Sequence, residues 1–283
     1  MKQIKMVALD LDGTTLNRES KITPGTCRAL HRAMEKGVHV VISTGRAFDA
    51  IPEEVFQVDG LEYIINSNGA DITRMADRRC IYTNHISERA VMETLGLFEH
   101  ADRTGISFEA VINRKTYIGK EEYDLIVSGN SSFREIAYVR DTRTPVDNIF
   151  EYMRENKGII ENINIIFETQ ELKSRWRPVL DQIPESTLTT SFANNYEIGG
   201  ETTSKAEALS FLMEKLQVKR EELIACGDSP NDEEMIRFAG LGVAMGNALP
   251  EVKAIADYVT GSNEEDGVAQ VIEKFILNDR EEE

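Results

Sequence analysis

Met6-Val7-Ala8-Leu9-Asp10-Leu11-Asp12-Gly13-Thr14 opens the reading of the fold: a short apolar run halts at two aspartates, a glycine and a threonine. Apolar runs of this length, bounded by turn residues, read as strands buried on both faces, the kind that parallel sheets use. A second run at 38–42 (VHVVI) halts in the same way at Ser43-Thr44-Gly45-Arg46. Between the two, Thr23 can cap a helix with Pro24 at its first position, Cys27, Leu30 and Met34 fall on one face, and Gly37 ends it. The result is a βαβ unit. The pattern returns at Tyr63-Ile64-Ile65, at 223–226 before Gly227-Asp228, at 241–245 and at Tyr258-Val259. Strands alternating with helices predict an α/β fold with a doubly wound parallel sheet, whose ligands bind at the carboxyl ends of the strands.

Residues 84–194 break this rhythm. Val91, Leu95 and Phe98 share one side of a helix, and 107–112 and 115–118 read as strands around Asn113-Arg114. A helix at 146–154, a strand at 163–167, a helix at 172–180 and a strand at 187–192 follow. Strands close in sequence and joined by a tight turn predict an antiparallel α+β domain inserted into the larger sheet. The expected division is therefore a core made of 1–83 and 195–283, with the insert 84–194 over the mouth of its site.

The chain has 283 residues, which at about 150 per domain agrees with two domains. At 41% hydrophobic and 29% charged, with 7 Pro and 19 Gly, its composition is that of a globular protein. The formal net charge of −17 leaves no basic field for nucleic acid or an anionic membrane, so neither is an expected partner. Cys27, Cys80 and Cys226 are far apart and lack CxxC spacing, which argues against a disulfide framework or a zinc site and for a reducing compartment. The first apolar stretch is cut by Asp10, too soon for a signal peptide, and no run approaches the roughly 18 apolar residues of a membrane span. These features predict a cytoplasmic protein, with 279–283 as a solvated acidic tail.

Four segments carry chemistry. Asp10 and Asp12 lie where a buried strand ends; residues two apart can face a common space, so one can hold a cation or attack an electrophile while the other handles a proton. The competing reading is a plain Asp-Gly turn. Ser43-Thr44-Gly45-Arg46 offers small hydroxyls and a glycine that lets backbone N–H groups approach a phosphate, or else a strand-end turn with an exposed arginine. Lys205 opens a helix that Ser204 and Glu207 can cap, a position that disfavours a cation unless an anion is near, or else it is a solvated surface lysine. Gly227-Asp228-Ser229-Pro230-Asn231-Asp232 puts two more carboxylates and an amide at a third strand end, or else forms a Ser-Asp cap and nothing more. Hard oxygen donors of this kind select Mg2+.

Other constellations fail. No GxxxxGK[ST] or GxGxxG is present, and His31, His39, His85 and His100 lack metal-site spacing. Cys226 reads as a small buried apolar residue, and Trp176, between Arg175 and Arg177, as a packing residue in preference to a ring or sugar platform.

DLDGTTL at 10–16, STGR at 43–46, Lys205 and GDSPND at 227–232 resemble, in order, the four motifs of the haloacid dehalogenase-like phosphatases. SNGA at 67–70, GVAMGNA at 242–248 and VTGSNEEDGVA at 259–269 further resemble the Cof-type subgroup, which carries a large α/β cap between the second and third motifs. The resemblance implies that Asp10 is the nucleophile and Asp12 the general acid and base. It implies Mg2+ held by the Asp10 carboxylate, the Asp12 carbonyl and Asp228, with Asp232 in support. Thr44, Gly45, Lys205, Asn231 and the Leu11 backbone would bind the phosphoryl group. The implied activity is hydrolysis of small phosphate monoesters by a monomer or homodimer, sugar phosphates first and flavin or pyridoxal phosphate second. A phosphotransferase or mutase of the same superfamily, or a non-catalytic phosphate-binding regulator, is the alternative. The family often has glycine after the third-motif lysine, where this chain has Ala206.

Overall fold

A computed structural model describes residues 3–278, so the tail expected at 279–283 lies outside the described residues. The chain forms two compact units. The first comprises the described residues up to Thr44, Ile51–Tyr82 and the described residues from Ser204 onward. The second comprises Gly45–Ala50 and Thr83–Thr203.

The first sheet contains β1 (Met6–Leu9), β2 (His39–Ser43), β3 (Tyr63–Asn66), β4 (Asp71–Arg74), β5 (Arg79–Thr83), β12 (Leu223–Gly227), β13 (Leu241–Ala244) and β14 (Tyr258–Val259). Their order is β14-β13-β12-β1-β2-β3-β4-β5. Every pairing from β14 to β3 is parallel, and β4 runs antiparallel to β3. Strand order reverses at β1, the switch point of a doubly wound sheet. Alternate strand residues face opposite sides: Met6, Ala8, Val41, Leu223 and Ala225 pack against Ala208, Leu209, Leu212 and Met213 of the helix Lys205–Leu216. The helix Pro24–Glu35 buries Ala29, Leu30 and Ala33, begins at Thr23, whose side chain accepts from Thr26 N–H, and has Pro24 in its first turn. Each fully buried Leu, Val, Ile or Met side chain among these contributes about 1.5–3 kcal/mol, and an alanine methyl less.

The second sheet contains β6 (Ile106–Ile112), β7 (Lys115–Gly119), β8 (Thr144–Val146), β9 (Ile160–Phe167), β10 (Ser186–Thr189) and β11 (Asn195–Gly200), in the order β10-β11-β9-β6-β7-β8. Its pairings are antiparallel except β7 with β8. One face packs on the helices Glu88–Glu99 and Ile149–Glu155 through Phe108, Ala110, Ile163, Ile165, Val91, Leu95, Phe98 and Phe150. Trp176 stacks on Phe98 with ring centroids 4.0 Å apart, a packing role. The other face is polar: Arg143 bonds the buried Glu109 at 2.7 Å, Arg134 pairs with the same carboxylate, and Asn164 donates to it at 3.2 Å.

Several elements differ from the sequence reading. The second unit runs past Asn194 because β11 pairs with β9 and β10. It also takes in Gly45–Ala50, where Asp49 N–H donates to the Arg114 carbonyl at 3.2 Å. Residue 146 ends β8 instead of opening a helix: Asn148 caps the helix Ile149–Glu155, accepting from Phe150 and Glu151 N–H. β4, β5 and the helices Lys120–Val127 and Ile136–Thr142 had no sequence counterpart.

Candidate active site

The register of the first sheet brings the motif residues together. Leu9 pairs with Cys226 on one side and Ile42 on the other, so Asp10, Gly227-Asp228 and Ser43-Thr44 follow the carboxyl ends of three adjacent parallel strands. Asp10 N–H continues the ladder to the Cys226 carbonyl at 3.0 Å. The chain then turns sharply, the Leu11 carbonyl accepting from Thr15 N–H at 3.0 Å and Leu16 N–H at 2.8 Å. Gly13 makes the turn with φ +78°, and a Cβ there would lie 2.4 Å from Asp228 Oδ2. Only glycine lets this loop run so close to the Asp228 carboxylate.

Lys205 lies at the centre, with no exposed surface. Its Nζ is 2.6 Å from Asp10 Oδ1 and 2.6 Å from Asp232 Oδ1. The anion that a lysine at this helix start requires is thus supplied first by two carboxylates of the chain itself. Ser204 caps the helix by accepting from Glu207 N–H, and the helix begins at Lys205 with Ala206 in its first turn, packed against the core. Asp232 is tied down at its other oxygen, which accepts from Asp228 N–H at 2.9 Å and Ser229 N–H at 3.1 Å.

Asp10, Asp228 and Asp232 each offer an oxygen within 4.8 Å of the others. Three carboxylates against one ammonium leave an excess of negative charge in a poorly hydrated place. Burial, with repulsion from Asp232, pushes Asp10 well above the usual carboxylate range despite Lys205. The same two causes push Asp228 up to about 7. Burial alone would lower Lys205, but Asp10 and Asp232 outweigh it and hold the ammonium above the ordinary lysine range. Hard, crowded, under-neutralised oxygens are the donor set a divalent cation fits.

The other predicted residues divide by position. Asp12 is exposed just past the strand end, outside the three-carboxylate cluster. Thr44 is buried, its N–H donating to the Ile65 carbonyl at 2.8 Å, while Gly45 belongs to the second unit. Asn231 donates through Nδ2 to Asn68 Oδ1 at 2.9 Å. Cys226 is buried and its thiol pushed up by that burial, which leaves it no part as a nucleophile. The sequence reading did not single out Thr14, whose hydroxyl donates to Asp228 Oδ1 at 3.4 Å, or Asn247, which donates to the Gly13 carbonyl at 2.8 Å. Both lie inside the DLDGTTL and GVAMGNA segments, which is their one signal in the sequence.

Residues 7–272 match the family model of haloacid dehalogenase-like hydrolases. The chain is 32% identical to "Phosphatase YwpJ" of Bacillus subtilis (strain 168), over 96% of this chain and 100% of that one. It is 31% identical to the 5-amino-6-(5-phospho-D-ribitylamino)uracil phosphatase YcsE of the same organism, over 97% and 96%. Among solved structures, a haloacid dehalogenase-like hydrolase from B. subtilis superposes with a TM-score of 0.81 at 28% identity, covering 96% of this chain and 100% of that one. The subclass IIB sugar phosphatase BT4131 superposes with a TM-score of 0.77 at 25% identity, covering 96% and 98%. With these likenesses and the strand-end cluster of acidic residues around a buried lysine, the chain belongs to the haloacid dehalogenase-like hydrolases, among their Cof-type phosphatases.

Proposed function

We propose that this phosphatase hydrolyses small phosphate monoesters, sugar phosphates first, through a phosphoryl group carried on Asp10, with Mg2+ as its metal. The observation that carries the reading is the buried Lys205 paired at 2.6 Å with Asp10, beside the carboxylates of Asp228 and Asp232. The Asp10 carboxylate, the Asp12 carbonyl and Asp228 would hold Mg2+, with Asp232 in support. When bound, the ion offsets the negative charge that gathers as the phosphoryl group meets these carboxylates.

An oxygen of Asp10 attacks phosphorus, the bond from phosphorus to the ester oxygen breaks, and that oxygen takes the proton of Asp12. The Asp12 carboxylate then takes a proton from water. The water oxygen attacks phosphorus, the bond to Asp10 breaks, and inorganic phosphate leaves. The exposed position of Asp12 suits contact with both the leaving group and water. Thr44, Gly45, Asn231, the Leu11 backbone and Lys205 would hold the phosphoryl oxygens, and positioning with charge stabilisation supplies most of the rate. The insert, expected at 84–194, would be the part of the chain that sets the choice of substrate.

The sugar phosphatase BT4131 supports a sugar phosphate, and the relatives named for 5-amino-6-(5-phospho-D-ribitylamino)uracil favour a phosphorylated ribityl chain as the second class. The test is phosphate release from a panel of sugar, ribityl, nucleotide, flavin and pyridoxal phosphates, with Mg2+ or with EDTA, in wild type and Asp10→Asn. Mg2+-dependent release that Asp10→Asn abolishes is expected. Transfer to an added sugar without free phosphate would identify a transferase instead, and phosphate binding without turnover a regulator.

A further inference from the structure

The Ser67-Asn68-Gly69 turn belongs to none of the four motifs, yet it touches three of them. We infer that Asn68 is a positioning residue for the phosphoryl site, orienting the side-chain amide of Asn231; the inference rests on the proposed role of Asn231 as a phosphoryl ligand.

Three consecutive residues after β3 have left-handed backbone, with φ +51° at Ser67, +57° at Asn68 and +98° at Gly69. Ser67 and Asn68 are both buried. Left-handed backbone at two successive residues with side chains is unfavourable and persists only where the surroundings over-determine it. Three contacts do so here. The Asn68 N–H donates to the Thr44 carbonyl at 3.0 Å, which ties the turn to the second motif. A Cβ on Gly69 would lie 2.1 Å from the Ser204 carbonyl oxygen and 3.1 Å from Lys205 N, so the start of the lysine helix rests directly on the turn. Asn68 Oδ1 accepts from Asn231 Nδ2 at 2.9 Å, which reaches the fourth motif.

The last contact has a chemical consequence. A primary amide has two N–H donors at one end and an acceptor at the other. With one Nδ2 hydrogen of Asn231 given to Asn68, the second remains for a phosphoryl oxygen. Rotating the Asn231 amide by half a turn would set two carbonyl oxygens against each other. Without Asn68 both orientations become available, and one of them presents an oxygen to an anion. Asn68 is thus fitted to keep a donor aimed at the phosphoryl group, and asparagine is among the few residues that tolerate the required φ.

The test is a double-mutant cycle between Asn68→Gly and Asn231→Ala, read as competitive inhibition by inorganic phosphate, as KM and kcat on p-nitrophenyl phosphate, and as melting temperature. Glycine accepts the left-handed backbone, so Asn68→Gly removes the amide and keeps the turn. Each single variant should weaken phosphate inhibition about three- to tenfold, the scale of one lost hydrogen bond. The double variant should be no weaker than the worse single one. Losses that multiply, or a fall in kcat with phosphate inhibition unchanged, would overturn the inference. If Asn68→Gly does not fold, Asn68→Ser replaces it in the cycle, since Ser67 already adopts left-handed backbone in this turn, and its losses must likewise fail to multiply with those of Asn231→Ala. Wild type that neither releases nor binds phosphate removes the proposed site, and this inference with it. Wild type that does both, with multiplying losses, leaves the site standing and refutes Asn68 alone.

Discussion

Lys205 Nζ and Asp10 Oδ1 meet at 2.6 Å in a place where Lys205 has no exposed surface and Asp10 is 5% exposed. Removing one partner of a buried pair strands the other, and here Lys205 serves two carboxylates, Asp10 and Asp232. Lys205→Met should therefore cost about 3–5 kcal/mol of stability at neutral pH as well as phosphatase activity. Urea unfolding at pH 7.5 measures it, and a variant as stable as wild type would deny the pair this role.

Gly13→Ala should act on the metal more than on the fold. Its φ of +78° and the 2.4 Å between a Cβ and Asp228 Oδ2 force the loop or the carboxylate to move. A fall in Mg2+ affinity of about 10- to 100-fold is expected, the range seen when the support of a metal ligand is lost. Calorimetric titration of Mg2+ checks it, and unchanged affinity would count against Asp228 as a ligand.

The polar face of the second sheet makes a pH prediction. Burial, with repulsion from Glu109, lifts Glu122 to about 7, although Ser107, Arg134 and the Phe108 N–H favour its ionised form. The folded chain therefore keeps a proton that the unfolded chain releases between an ordinary value near 4.5 and about 7. Stability from this group falls as pH rises through that window, and the full penalty stands above it. Glu122→Gln should match wild type near the bottom of the window and exceed it by about 1–3 kcal/mol above the top. Denaturant midpoints at both ends decide the matter, and a constant difference would exclude Glu122 as the group responsible.

Glu109 has the opposite character. Burial would raise its carboxyl, but Arg134 and Arg143 outweigh burial and hold it far below the usual range. Glu109→Ala leaves two buried guanidinium groups without their carboxylate, at a cost of about 3–5 kcal/mol. Thermal and denaturant unfolding should report this loss, and a change under about 1 kcal/mol would mean that the arginines find other partners.

The core sheet was legible because parallel strands buried on both faces read as apolar runs, and the candidate site because its proposed residues stand where those runs stop: Leu9 before Asp10, Ser43 before Thr44, Cys226 before Gly227. β4 left no such signal. Its Asp71 and Thr73 are buried through hydrogen bonds, Asp71 Oδ2 accepting from Asn66 Nδ2 at 2.6 Å, and no apolar alternation marks them. β11 reads Asn-Tyr-Glu-Ile-Gly-Gly, and it is a strand because β9 and β10 flank it, not through any propensity of its glycines. The hydrogen bonds of Asn68 and Asn247 were hidden for a related reason. Each joins a residue far along the chain, Asn68 to Asn231 and Asn247 to Gly13, and such pairings leave no local pattern.

The most direct test of the account asks whether the phosphoryl group rests on Asp10. In Asp12→Asn, p-nitrophenyl phosphate supplies a leaving group that departs without a proton, so the first step survives while the water-activating carboxylate is gone. Acid quenching followed by peptide mass spectrometry should find one phosphoryl group on Asp10, accumulating in Asp12→Asn and absent from the Asp10→Asn, Asp12→Asn double variant. A phosphoryl group on another residue, or steady turnover by Asp10→Asn, would contradict the account.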